Sequence, residues 1–389
     1  MQPFVFNTTA RLVCKAGAAT ELGHHTAALL GGTVLFVTDQ GLRAIGLEKG
    51  AIASLEAAGI KVSVFDGVEA DPSLATLLAA VEMAQATGAT GIVGFGGGSS
   101  MDVAKLAALI AGSGEDINEA WGVGNAKGPR LPLVLVPTTA GTGSEATPVS
   151  IITVGENEKR GVSSPLLLPD IAILDAELTL GLPAPITAAT GIDAMVHAIE
   201  AYASKSANNN PVSAMLAREA LTLLGANIET VVREPRNHAA RQSMLLGSML
   251  AGMAFGNSPV AAVHALAYPI GGMFHIPHGL SNALVLPHVL SFNIEDESNG
   301  SWQHYGELAP LAFPALTEPP SPSLARDFIA ELSALSARLG LPQRLRDCGI
   351  GEEALPVMAA DAMKQTRLLV NNPRDVSEAD ALAIYQAAW

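Results

Sequence analysis

Asp193 and His197 lie four residues apart in the run Gly191-Ile192-Asp193-Ala194-Met195-Val196-His197. That spacing puts a carboxylate and an imidazole on one helix face, one turn apart. Their neighbours are apolar, and an Asp without a partner in such surroundings is costly. A pair on a helix surface has the same spacing, so the pair alone does not decide its role. Two later histidines sit in equally apolar settings: His264 in Ala261-Ala262-Val263-His264-Ala265-Leu266, and His278 in Ile276-Pro277-His278-Gly279. One carboxylate and three imidazoles form a nitrogen–oxygen donor set suited to a divalent cation. Fe2+, Zn2+ and Mn2+ all remain open. The two cysteines, Cys14 and Cys348, supply neither a Cys-based zinc site nor a disulfide framework.

A second group of residues is suited to phosphate and ribose. Gly94-Phe95-Gly96-Gly97-Gly98-Ser99-Ser100 falls between a strand-like and a helix-like segment. Glycines let the backbone approach a ligand, and a helix start offers free N–H groups to an anion such as pyrophosphate. The spacing is not G-x-G-x-x-G, so this is no ordinary Rossmann turn. A plain turn would read the same way. Pro137-Thr138-Thr139-Ala140-Gly141-Thr142-Gly143-Ser144-Glu145 follows the next strand-like run and is rich in hydroxyls. Hydroxyls donate to phosphate and carboxamide oxygens without adding charge, although a polar loop with a helix cap at Thr142 or Ser144 is the simpler alternative. Two such loops at successive strand ends favour a nucleotide crevice. Asp39 ends another strand, where an acid accepts from a ribose diol and repels a 2′-phosphate. A solvated turn Asp is its more common fate.

The elements that must position these groups alternate in the first half of the chain. Thr33 to Thr38, Lys61 to Phe65, Gly91 to Phe95 and Leu131 to Val136 read as strands. Gly50 to Gly59, Leu74 to Thr87 and Ser99 to Ala111 read as helices. The alternation predicts an α/β dinucleotide-binding domain with a mostly parallel sheet. Gly155 to Gly161 reads as a loop. Past Leu182-Pro183-Ala184-Pro185 the pattern changes. Pro185 to Ser204, Pro211 to Val232 and Ala239 to Phe255 are long Ala/Leu/Met-rich helical segments, and convincing strands are absent. This predicts a domain boundary near residue 183, with residues 1–183 α/β and residues 184–389 all-α.

Composition agrees. With 49% hydrophobic and 15% charged residues, the chain of 389 residues can bury large cores, which argues against disorder. The formal charge of −15 makes nucleic acid a poor partner and leaves an anionic cofactor to local dipoles. The start, MQPFVFNTTARLVCK, has no basic-then-apolar signal pattern, and no run reads as a membrane span. The expectation is a cytoplasmic protein with no membrane partner.

The motifs in this order resemble the iron-containing (group III) alcohol dehydrogenases. They are Gly96 to Asp102, Pro137 to Glu145, Leu168-Pro169-Asp170 to Asp175, Gly191 to Glu200, and His264 through Pro277-His278-Gly279. The likeness runs from Arg11 to Asn372-Pro373-Arg374. It implies a dehydroquinate-synthase-like fold, a homodimer, NAD and one divalent metal, with Fe2+ the first choice and Zn2+ or Mn2+ the alternatives. It assigns the metal to Asp193, His197, His264 and His278. It puts pyrophosphate at Gly97, Gly98 and Ser99, and the nicotinamide side at Thr138, Thr139 and Thr142. Asp39 falls where NAD-type members carry an acid, and Asp71, Asp102 and Lys159 also count among the cofactor residues.

The implied reaction moves a hydride between a small alcohol or aldehyde and nicotinamide, with the metal as Lewis acid on the alcohol oxygen. One departure concerns the proton. Many members carry a histidine four residues after the one matching His264, and here that position is Tyr268. A phenol titrates near ~10, far above an imidazole. His275 is the substitute candidate, or else merely a loop residue. The surroundings of Val149, Phe255, Phe274 and His275 look apolar, with no arginine cluster to demand a carboxylate. A short- or medium-chain primary alcohol is therefore expected. A hydroxy acid such as 4-hydroxybutyrate is the alternative, and a cyclising lyase of the same fold a more distant one.

Overall fold

The computed structural model describes residues 2–155 and 158–389. Contacts divide the chain into two compact units, Asn7–Leu180 and Gly181–Trp389, with the segment up to Phe6 joining the second. That segment was expected in the α/β half.

The first unit is built on strands β1 (Arg11–Cys14), β2 (Thr33–Val37), β3 (Lys61–Phe65), β4 (Gly91–Gly96), β5 (Gly122–Val123), β6 (Leu133–Pro137), β7 (Val149–Val154), β8 (Glu158–Ser163) and β9 (Ile171–Leu174). Its helices are α1 (Leu22–Leu30), α2 (Gln40–Ile45), α3 (Lys49–Ala57), α4 (Leu74–Thr87), α5 (Gly98–Ser113) and α6 (Ile117–Ala120). Six strands form a wholly parallel sheet in the order β1-β9-β6-β4-β2-β3. Side chains alternate across a strand, and here both faces are covered. Val34, Phe36, Val93 and Phe95 pack with Leu22, Leu30 and Leu55 of α1 and α3. Leu35, Val37, Ile92 and Leu135 pack on the other face with Leu77 and Val81 of α4 and with Met101 and Leu106 of α5.

A second, three-stranded sheet, β5-β8-β7, contains an antiparallel β7–β8 pair. It corrects the loop expected over Gly155 to Gly161, since β8 begins at Glu158. The reason is chemical. Glu158-Lys159-Arg160 carries no apolar alternation, so its pairing with Ile152, Thr153 and Val154 is set by backbone hydrogen bonds to β7 rather than by side-chain pattern.

The second unit is helical, and among the described residues it contains no strand: α7 (Ala184–Ala203), α8 (Pro211–Arg233), α9 (His238–Asn257), α10 (Ala262–Phe274), α11 (His278–Glu295), α12 (Ser301–Ala312), α13 (Pro322–Arg338), α14 (Leu355–Ala362), α15 (Thr366–Leu369) and α16 (Glu378–Ala388). The helix starts are legible: Asn210 caps α8 through Val212 N and Ser213 N, and Asn237 caps α9 through Ala240 N. α7 packs against α8, α9 and α11. Gly279, at the start of α11, permits the last of these contacts. A Cβ there would stand 2.3 Å from Ala189 O of α7, so only glycine lets the two backbones meet. Among the described residues no single helix is long and apolar enough to cross a membrane.

Candidate metal centre and nucleotide loops

Three helices of the second unit converge on one donor set. α7 supplies Asp193 and His197, α10 supplies His264 in its first turn, and α11 opens on His278. One ligand atom from each of these four residues lies within 4.8 Å of the others. Asp193 Oδ1 is 3.7 Å from His278 Nε2 and 4.0 Å from His264 Nε2. Tetrahedral donors about 2.1 Å from an ion are roughly 3.4 Å apart, so this spacing fits one divalent cation after small side-chain adjustments. Asp193, His197 and His264 are buried, whereas the His278 side chain is 40% exposed and marks the accessible side.

Burial alone would raise the Asp193 carboxyl, but the imidazoles of His197, His278 and His264 and the Asn282 amide hold it below the ordinary value. Glu200 does related work on His264. Its Oε2 lies 2.5 Å from His264 Nδ1, and its Oε1 accepts from Val263 N at 2.7 Å. A carboxylate there accepts a hydrogen bond from Nδ1–H and so turns the Nε2 lone pair toward the other donors. Phe255 stacks on His197 with ring centroids 4.3 Å apart.

Tyr268 is half-buried on α10, with its ring 6.0 Å from that of His278. His275 is exposed and ends α10 in the left-handed region at φ 55. It thus acts as the helix C-cap, a place usually taken by Gly or Asn.

The nucleotide candidates lie in the first unit. β2, β4 and β6 are neighbours in the parallel sheet, so Asp39, Gly97 to Ser99 and Thr138 to Thr142 leave it at the same carboxyl edge. The strand order reverses between β2 and β4, the place where open α/β sheets take ligands. α5 starts at Gly98 with no side-chain cap, which leaves its first N–H groups for an anion. A Cβ on Gly98 would come within 2.9 Å of Thr142 Cγ2, so this turn and the threonine loop touch. Asp39 caps α2, accepting from Leu42 N at 2.9 Å, and that cap engages only one carboxylate oxygen. Asp71 and Lys159, far apart in sequence, form an ion pair at 2.6 Å, and Lys159 Nζ also donates to Thr153 Oγ1.

Asp102, on α5, is tied to the threonine loop and to β7. Its Oδ1 accepts from Ser144 Oγ at 2.7 Å and its Oδ2 from Ile151 N at 2.9 Å, so both oxygens serve the framework. Lys105 is fully buried beside it and donates to Ser144 Oγ, Thr147 Oγ1 and Val149 O. Burial lowers its amine to about 8. Glu145 is buried too, and burial pushes its carboxyl up to about 7.

The family model for iron-containing alcohol dehydrogenase matches residues 9–176, and the model for the C-terminal part of the Fe-containing alcohol dehydrogenase family matches residues 187–389. The chain belongs to the iron-containing alcohol dehydrogenase family. It is a metal-dependent alcohol dehydrogenase that binds NAD and a metal. It is 40% identical to long-chain-alcohol dehydrogenase 1 of Geobacillus thermodenitrificans, over 92% of this chain and 89% of that one. It is 37% identical to 1,3-propanediol dehydrogenase of Klebsiella pneumoniae, over 96% and 95%. The solved structure of a 1,3-propanediol oxidoreductase superposes with a TM-score of 0.95 at 35% identity, covering all of both chains. Membership sets the cyclising lyase aside.

Three residues of the dehydrogenase were missed in the sequence. Glu200 could have been found, since it extends the Asp193–His197 face by one more near-turn. Lys105, alone in an apolar helix three residues after Asp102, was also a signal. Asn282 gave a weaker one, one turn after His278.

Proposed function

We propose that Asp193, His197, His264 and His278 hold one divalent cation, Fe2+ in the first place, with Zn2+ or Mn2+ as alternatives. The observation that carries this is the convergence of four donors from three helices within 4.8 Å. Once bound, the cation supplies a Lewis acid for the alcohol oxygen. The chain does the rest by placement. Glu200 fixes the His264 ring, and the buried setting of Asp193, His197 and His264 keeps bulk water from them. In the first unit, Gly97, Gly98 and Ser99 take the pyrophosphate, and Thr138, Thr139 and Thr142 the nicotinamide side. Asp39 takes the adenosine ribose, with Asp71 and Lys159 as a paired flank and Asp102 acting through Ser144. The units Asn7–Leu180 and Gly181–Trp389 thereby divide cofactor from metal and alcohol.

The substrate class is a small primary alcohol, oxidised to its aldehyde or formed from it. Similarity to a 1,3-propanediol dehydrogenase supports this reading, and hydroxy acids stand second. Tyr268 shapes the pocket floor, and neither it nor the exposed His275 is required as a proton relay. The family likeness supports a cytoplasmic homodimer, and the charge of −15 argues against nucleic acid. The test is NADH formation over a panel of primary alcohols, diols and hydroxy acids, each with NAD and NADP. We expect the highest kcat/KM for a primary alcohol with NAD. A preference for NADP would show that Asp39 does not face the ribose, and a preference for hydroxy acids would overturn the substrate class.

A further inference from the structure

Asn282 lies one turn beyond His278 on α11 and is fully buried. Its Nδ2 is 2.6 Å from Asp193 Oδ1 and 3.3 Å from both His264 Nε2 and His278 Nε2. Its Oδ1 is buried without a hydrogen-bond partner. Leaving such an oxygen unpaired is costly, so something holds the amide in this orientation. That something is Asp193. With the amide turned over, two oxygens would oppose each other at the same short distance. Nδ2 also faces His264 Nε2, which accepts because Glu200 holds the proton on Nδ1 of that ring.

An aspartate has almost the same shape and would fill the same space. It would differ in two respects: it has no N–H to hold Asp193, and it sets a second negative charge against it. Counting the direct donors alone, with Glu200 behind His264 left aside, three neutral imidazoles and one carboxylate leave a divalent cation with one net positive charge. Two carboxylates would leave none. A cation so neutralised is bound more tightly but polarises an oxygen less.

We propose that Asn282 is a positioning residue of the metal centre: its neutral amide holds the Asp193 carboxylate in place and limits the charge of the donor set to one negative unit. This rests on the reading of Asp193, His197, His264 and His278 as the metal ligands. It makes the two obvious substitutions move metal affinity in opposite directions. Asn282→Ala removes the hold on Asp193 and weakens binding. Asn282→Asp adds charge and strengthens it, while like-charge repulsion destabilises the metal-free protein.

The experiment titrates metal-stripped wild type, N282A and N282D with Zn2+ against a chromogenic chelator, and melts each metal-free protein. The reloaded enzymes are then assayed for alcohol oxidation. We expect N282A to bind Zn2+ about 10- to 100-fold more weakly than wild type. N282D should bind it more tightly by about tenfold or more, melt lower without metal, and lose kcat rather than gain KM. Because Asp is nearly isosteric, N282D decides the matter even where N282A folds poorly. A residue that only fills space would not move affinity in opposite directions. Zn2+ binding by N282D no tighter than by wild type overturns the proposal while leaving the ligand assignment intact. Failure of wild type to bind Zn2+ in a manner that His264→Ala removes would overturn the ligand assignment, and this inference with it.

Discussion

At the scale of single residues, the chemistry is set by what surrounds each charge. Glu145 shows this in the first unit. Burial pushes its carboxyl from the usual 4.5 up to about 7, so between these values the folded chain keeps a proton that the unfolded chain has lost. Stability contributed by the protonated form is therefore present below about pH 4.5 and lost as pH rises toward about 7. Glutamine is neutral throughout. We expect Glu145→Gln to melt near wild type at about pH 4.5 and above it at about pH 8. A melting difference that does not grow with pH would show that Glu145 is ionised at no cost. Tyr268 supplies a second test. If its ring only shapes the pocket floor, Tyr268→Phe keeps most of kcat. A hundredfold loss at unchanged metal content, about 2.7 kcal/mol of transition-state stabilisation, would make the hydroxyl catalytic. These residues were legible to different degrees. Asp193, His197, His264 and His278 stood out as polar groups in apolar runs. Glu200 acts on His264 and Asn282 on Asp193 across helices that only the fold brings together, and the sequence around Asp102 does not show that both its oxygens are engaged by Ser144 and Ile151.

At the scale of elements, helix ends and close approaches do the positioning. α11 delivers His278 because Gly279 lets its first turn meet α7 at Ala189. Gly279→Ala puts a methyl group 2.3 Å from a backbone oxygen, so α11 must shift. Overpacking of this kind costs about 1–3 kcal/mol. We expect urea unfolding at lower denaturant and a reduced metal content on purification, while wild-type values for both would show that the contact is not needed. The helices α4, α5, α7, α8 and α9 were visible in the sequence because their apolar periods are strong. α4 falls where Leu74 to Thr87 was read, and β3 where Lys61 to Phe65 was read. The strand β7 and the long helices α11 and α13 were not read, and the other misses were short or lacked pattern. β1 and β9 have four residues each, and β8 opens on three charged residues that only the β7 ladder makes into a strand.

At the scale of the whole molecule, an acidic chain must attract an anionic dinucleotide and a cation by local means. The net charge of −15 opposes NAD, and on the proposed reading the uncapped start of α5 and the neutral threonine loop would answer that locally. The cation, on the same reading, would be drawn by one buried carboxylate and three imidazoles from three helices. Because those donors come from distant parts of the sequence, the metal binds the folded chain and not the unfolded one, and loading it should raise the melting temperature. The most direct test is a paired measurement on wild type and His264→Ala: bound Fe or Zn per subunit by elemental analysis, and NADH formation with a primary alcohol before and after chelation. The account predicts one ion per wild-type subunit, loss of activity on chelation with recovery on adding Fe2+, Zn2+ or Mn2+, and little metal or activity in a folded His264→Ala protein. Full alcohol oxidation by wild type shown to be free of metal would contradict it.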